Sequence, residues 1–191
     1  AQSQYINMFK EAGIDAVILT HAIDSPFINQ AEQKNENLHF VRIDTDLDQA
    51  FKEDTADEDK EAMTAMTDKL TETFRKALDN DKLEIKVEKL KNASIASVVT
   101  LSEEGRRMQD MMKMYNMDGM GMDMFGASET LVLNANHPLV TFVLDHPEDE
   151  DTPMFCEQLY DLALLSHGSL SPERMASFVT RSNEIMMKLA K

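Results

Sequence analysis

Cysteine is almost missing from this chain. Cys156 is the only one, so no disulfide forms within it, and a reducing cytoplasmic setting suits the composition. The residue lies in an apolar helical pattern and reads as a buried, inert thiol rather than a nucleophile. Basic residues are scarce as well. The chain carries 19 Lys and Arg against 35 Asp and Glu, a formal net charge of −16. Phosphate recognition needs clustered cations, so nucleic acid and anionic membrane surfaces are poor partners. No run approaches the roughly eighteen apolar residues that a bilayer-spanning helix requires.

Catalytic signatures are missing too. The chain has no GxGxxG, no phosphate-binding loop, no GxSxG and no HExxH. His21, His39, His137, His146 and His167 show no metal-ligand spacing. Asp44, Asp46 and Asp48 imitate the start of a calcium loop, but Gln49 stands where the glycine belongs and Thr55 where the closing glutamate belongs. No catalytic residue, metal ligand or cofactor is assigned within these residues. The chain opens Ala1-Gln2-Ser3, with neither an initiator methionine nor the apolar core of a signal peptide. It is read as a piece of a longer protein.

A hydrophobic fraction of 42% supports a genuine core. Residues 4–12 show helical spacing that ends at Gly13, a glycine in the C′ position. The runs "DAVILT" (15–20) and "LHFVRI" (38–43) have strand length and strand composition, and Ser25-Pro26 between them reads as a helix start. This spacing predicts a small α/β subdomain over residues 1–52. Nine acids between positions 44 and 61 read as a solvated connector to a second unit, residues 53–191.

In that second unit, Met63, Met66, Leu70, Phe74 and Leu78 form one helical stripe. Residues 83–90, 94–101 and 128–134 read as strands of a three-stranded antiparallel sheet. A helix starting at Ser102 runs into the methionine-rich stretch, and a short one follows at 138–145. Two amphipathic helices close the chain, introduced by Thr152-Pro153 and Ser171-Pro172 and separated at Gly168. Phe155, Leu159, Leu162 and Leu165 line the first. Met175, Phe178, Ser182, Ile185 and Leu189 line the second, with Val179 and Met186 widening the stripe. Such an αα-hairpin has little chain left to cover its apolar ridge, so a second copy docking the same hairpin would complete a four-helix bundle. The alternative is that the ridge packs on the chain's own sheet. The fold class expected is α+β.

Eight of the fifteen methionines fall in "MQDMMKMYNMDGMGMDMF", residues 108–125. Met108, Met111, Met112 and Tyr115 share one helical face, whereas Met114 and Met117 point elsewhere. Met120, Met122, Met124 and Phe125 follow glycine-containing steps. A core helix accounts for about half of this cluster. A thioether site for Cu(I) would suit the spacings but lacks supporting His or Cys. A flexible, polarizable surface that moulds to varied apolar partners is the third reading, and it suits binding of unfolded or partly folded chains.

The segments "SQYINMFKEAGIDAVILTHAIDSPFINQ", "LVLNANHPLV" and "LYDLALLSHGSLSPERM", taken in this order and spacing, resemble the C-terminal third of the bacterial heat-shock protein 90 chaperone family. The resemblance runs from about Ser3 to the end. It implies a homodimeric, ATP-driven chaperone of the cytoplasm, with ATP and Mg bound in an N-terminal domain that this chain lacks. It implies that residues 1–52 close the middle domain and that 53–191 serve dimerisation and client contact. Residues 155–166 and 172–189 would form the dimer bundle. The helix near 108–117 and the loop after it would face client protein. The chain departs from the family in carrying Asn134-Ala135 where an Asn-Pro pair is usual, and in its heavy methionine loading. It ends in "KLAK" rather than an acidic pentapeptide, so TPR co-chaperones are not expected.

Overall fold

A computed structural model describes residues 3–21, 23–40, 43, 51–53, 60–101 and 129–190. The first helix, α1 (Ser3–Glu11), stops where the sequence places its glycine. Gly13 has φ +68°, its N–H donates to Lys10 O, and Ile14 N–H donates to Phe9 O at 2.9 Å. This is the paired bonding of a Schellman stop, open to glycine at no steric cost. Helix α2 (Asp24–Lys34) follows. Its first residue, Asp24, accepts the backbone N–H groups of Thr20 and His21 at 2.9 and 2.8 Å.

Of the α/β subdomain expected over 1–52, residues 41–42 of the second strand and 44–50 lie outside the described residues, and the first strand expected at 15–20 is not formed. The described residues of that stretch form two helices and no named strand, with one isolated antiparallel bridge from Lys52 to Leu90. Residues 14–20 take no regular secondary structure, and Val17 and Ile18 are each 77% exposed. Apolar, β-branched composition favours a strand only where another strand lies alongside. Among the described residues none does.

After α3 (Lys60–Leu78) come β1 (Glu84–Glu88), β2 (Ser97–Leu101) and β3 (Glu129–Asn134). The sheet order is β1-β3-β2. β3 pairs in parallel with β1, placing Val87 beside Leu133, and antiparallel with β2, placing Val98 beside Val132. The sheet is therefore mixed, not antiparallel as expected. Side-chain alternation reports that a stretch is a strand but carries no information on direction. Here the last strand inserts between the first two, and the long path from β1 to β3 permits the parallel pairing that a tight turn forbids. The central strand is buried on both faces, as its unbroken "TLVL" suggests.

Alternation along the strands sorts two cores. On one face Ile85, Val87, Val99, Leu131 and Leu133 meet Leu70 and Phe74 of α3, Val140 and Val143 of α4 (Pro138–Asp145), and Cys156, Leu159, Tyr160 and Ala163 of α5 (Thr152–His167). On the other face Val98 and Val132 meet Tyr5 and Met8 of α1, with Phe51, Leu90 and Ile95. The Tyr5 hydroxyl donates to Val99 O at 2.5 Å, tying α1 to the β2 edge. The final helix is α6 (Pro172–Leu189). Among the described residues no helix is long and apolar enough to cross a membrane.

Candidate functional site

The terminal hairpin is built by local sequence signals. Pro153 sits in the first turn of α5, where its missing N–H costs nothing. Thr152 does not cap this helix as its position before the proline suggests. It is the first helical residue, and its hydroxyl donates backward to His146 O at 2.5 Å. At the other end Gly168 N–H closes on Leu164 O at 2.7 Å. Ser171 does cap α6, its hydroxyl accepting the N–H of Arg174 at 3.2 Å.

One side of α5 is consumed by the chain's own core. Leu159 is 2% exposed, and its carbonyl accepts the Ser97 hydroxyl at 2.9 Å. It therefore belongs to the interior of a single copy and not to a surface between copies, a correction to the expected interface. Phe155 is half-buried, packed on the same core and tilted against Phe142 at 5.0 Å between ring centres. Cys156 lies fully inside. Burial, reinforced by the neighbouring Glu157 carboxylate, pushes its thiol up to about 12, so it stays protonated and inert.

α6 packs on α5 by another chemistry. Arg181 is its one buried side chain. The guanidinium donates to Glu157 Oε2 at 2.5 Å, to Gln158 Oε1 at 3.0 Å and to the Asp161 carboxylate. Arg174 donates to the other Asp161 oxygen at 2.5 Å and lies over the Tyr160 ring, 4.5 Å from its centre. Gln158 reaches Ser182 at 3.2 Å, and Lys188 pairs with Asp151. Asp161 is only 2% exposed, so two guanidinium groups meet its charge where water does not reach.

Part of the apolar stripe of α6 is consequently left outside. Met175, Val179, Met186 and Leu189 are exposed, Met186 at 59% and Leu189 at 83%. Leu162 of α5 is exposed as well, on the groove it lines with α1 and the start of α4, while Phe178, Ile185 and Leu165 are half-buried. Nine of the ten expected interface residues thus stand at least partly open to solvent, and Leu159 does not. The ten expected client residues, Met108, Met111, Met112, Met114, Tyr115, Met117, Met120, Met122, Met124 and Phe125, lie outside the described residues. Among the described residues no group of His, Cys, Asp or Glu is placed to hold a metal ion.

Charge pairing across the hairpin was the feature that apolar periodicity missed. A signal for it exists. Arg174, Arg181 and Lys188 recur every seven residues, which puts them on one helix face, and Glu157 and Asp161 stand four apart on the facing helix.

A profile of the Hsp90 protein family matches residues 1–191. The chain belongs to that family, and its αα-hairpin lies at the end of the matched segment. It is similar to the chaperone protein HtpG of Shewanella amazonensis, with 31% identity over 98% of this chain and 29% of the relative. The HtpG chaperone of Shewanella pealeana is 27% identical over 100% of the chain and 29% of the relative. That of Porphyromonas gingivalis is 28% identical over 82% of the chain and 23% of the relative. The chain thus spans less than a third of the length of these chaperones.

Proposed function

We propose that this chain provides homodimerisation and client contact to an ATP-dependent molecular chaperone of the HtpG type. The observation that carries the reading is the uncovered apolar ridge of α6, Met175, Val179, Met186 and Leu189. Water-exposed apolar side chains in a continuous stripe mark a surface that a partner covers, and burial contributes about 25 cal/mol per Å² before association costs. A twofold axis lets the same ridge serve both copies and completes a four-helix bundle. Residues 53–191 carry this role, and residues 1–52 close the preceding middle domain. Clients are unfolded or partly folded proteins, held by the methionine-rich segment 108–125, whose side chains adapt to many apolar partners.

Nucleotide belongs elsewhere in this proposal. A groove of about 530 Å³ between α1, α5 and the start of α4 has no Lys or Arg among its described wall residues, and these offer a triphosphate no counter-charge. ATP and Mg are assigned to a domain outside this chain.

Sedimentation velocity tests both roles in one experiment, with a fluorescent, alkylated unfolded protein added as client. The unmodified chain is expected to sediment as a dimer and carry the label with it. Val179→Glu with Met186→Glu is expected to give monomers. Met114, Met117 and Met120→Ser is expected to keep the dimer and lose the label. A dimer that survives the two glutamates places the interface elsewhere, and label retained by the serine variant removes the client role from this segment.

A further inference from the structure

Amphipathic helices ordinarily dock through their apolar stripe. α6 docks through a mixed face instead, with Arg181 between the half-buried Phe178 and Ile185. It presents Arg181 to its neighbour and leaves Val179 and Met186 in solvent. At 3.6 residues per turn these two lie roughly 140–160° around the helix from Arg181. Arg174 and Lys188, by contrast, share Arg181's face. All three cations meet anions of α5 or its N-terminal flank: Arg174 with Asp161, Arg181 with Asp161 and Glu157, Lys188 with Asp151. The pairs run in opposite chain directions, as antiparallel helices require.

Consider the alternative packing in which α6 rolls by about half a turn. Val179 and Met186 would then lie on α5, and the hydrophobic effect alone favours that arrangement. It would leave the Asp161 carboxylate, now 2% exposed, without a cation in a place water does not reach. A buried charge stripped of its partner is strongly unfavourable, whereas the intact pair contributes little net stability. The pairs therefore act on which packing forms more than on how stable it is.

We infer that the Arg174–Arg181–Lys188 row, locked onto Asp161, Glu157 and Asp151, fixes the roll of α6 so that its apolar ridge cannot fold back on its own chain. Asp161 and Arg181 are positioning residues for the surface that receives a second copy. This rests on the dimer reading above, and the test separates the two.

The test uses the whole chain. Val179→Cys introduces a thiol on the ridge, and Cys156, buried with its thiol pushed up to about 12, does not compete for reagent. Labelling is timed at dilutions where copies are apart, with the charge row intact and with Asp161→Leu/Arg181→Met, which removes both charges together. The apolar pair is expected to keep the helical circular dichroism and the melting temperature. It is also expected to slow labelling by roughly fivefold as the ridge turns inward and to raise the dimer Kd by about tenfold. Asp161→Asn, nearly isosteric, is expected to shift both in the same direction and decides the matter if the double variant does not fold. Unchanged labelling, or slowed labelling with an unchanged Kd in a chain that dimerises, overturns the inference. An intact chain that is monomeric at every concentration, with labelling still slowed by the double variant, sinks the pairing of copies and leaves the control of helix roll standing.

Discussion

The side-chain oxygen of Asn134, at the end of the central strand, accepts the backbone N–H of Leu90 at 3.0 Å across 44 residues of sequence. The same amide is used completely. Its oxygen also accepts Asn136 N–H at 3.0 Å, and its nitrogen donates to Asn92 O at 3.1 Å and Ile95 O at 2.7 Å. One fully buried side chain thereby fixes the end of β3 and the connection between β1 and β2.

Asn134→Ala is expected to cost about 3–5 kcal/mol, because it leaves several buried backbone groups without partners at once. Asn136→Ala, which removes a single bond from Asn136 Nδ2 to Leu90 O at an exposed residue, is expected to cost about 1 kcal/mol or less. Urea unfolding of both variants checks the ratio. Equal midpoints would show that the Asn134 amide is not the tie described.

His137 caps α4 with its ring: Nδ1 accepts the N–H of Leu139 at 3.2 Å. Burial lowers its pKa below the ordinary 6.5, and a proton on Nδ1 would abolish the cap and add a positive charge at a helix N-terminus. The unfolded chain then binds the proton more readily than the folded one. Stability is unaffected above pH 6.5 and falls as pH drops below it. His137→Asn keeps a capping acceptor that does not titrate. The melting temperature of this variant is expected to pull ahead of the unmodified chain's at pH 5.5 and to converge with it at pH 8. A gap independent of pH would exclude the ring as a titrating cap.

Asp79, just past α3, holds φ +50°, with Asn80 N–H returning to Arg75 O at 3.2 Å. The left-handed region disfavours side chains, and glycine is the usual occupant of this helix-ending position. Asp79→Gly is expected to add about 0.5–1 kcal/mol and to raise the melting temperature by roughly 2 °C. Calorimetry decides, and a loss of stability would mean that the aspartate side chain makes up for its backbone strain.

Much of the chain was readable in advance, for identifiable reasons. Gly13, Ser171-Pro172 and the Leu70/Phe74 stripe act through local geometry, and local geometry is written in adjacent residues. Strand direction was not readable, since residues 84–88 alternate identically whichever way they pair. "DAVILT" misled because its composition reports a preference that only a neighbouring strand realises. Leu159 misled for a related reason. An apolar residue at helical spacing looks the same whether it faces its own sheet or a second copy. The charge row on α6 was visible at seven-residue spacing, but it carries meaning only once α5 supplies anions at matching heights.

The order β1-β3-β2 carries a consequence for synthesis. As the nascent chain leaves the ribosome, its first two strands emerge with no partner for one another. They must wait through residues 102–128 before β3 arrives to join them. Until then Ile85, Val87, Val98 and Val99 are unsheltered. A pause in translation before Leu133 would thus prolong the exposure of these strand residues.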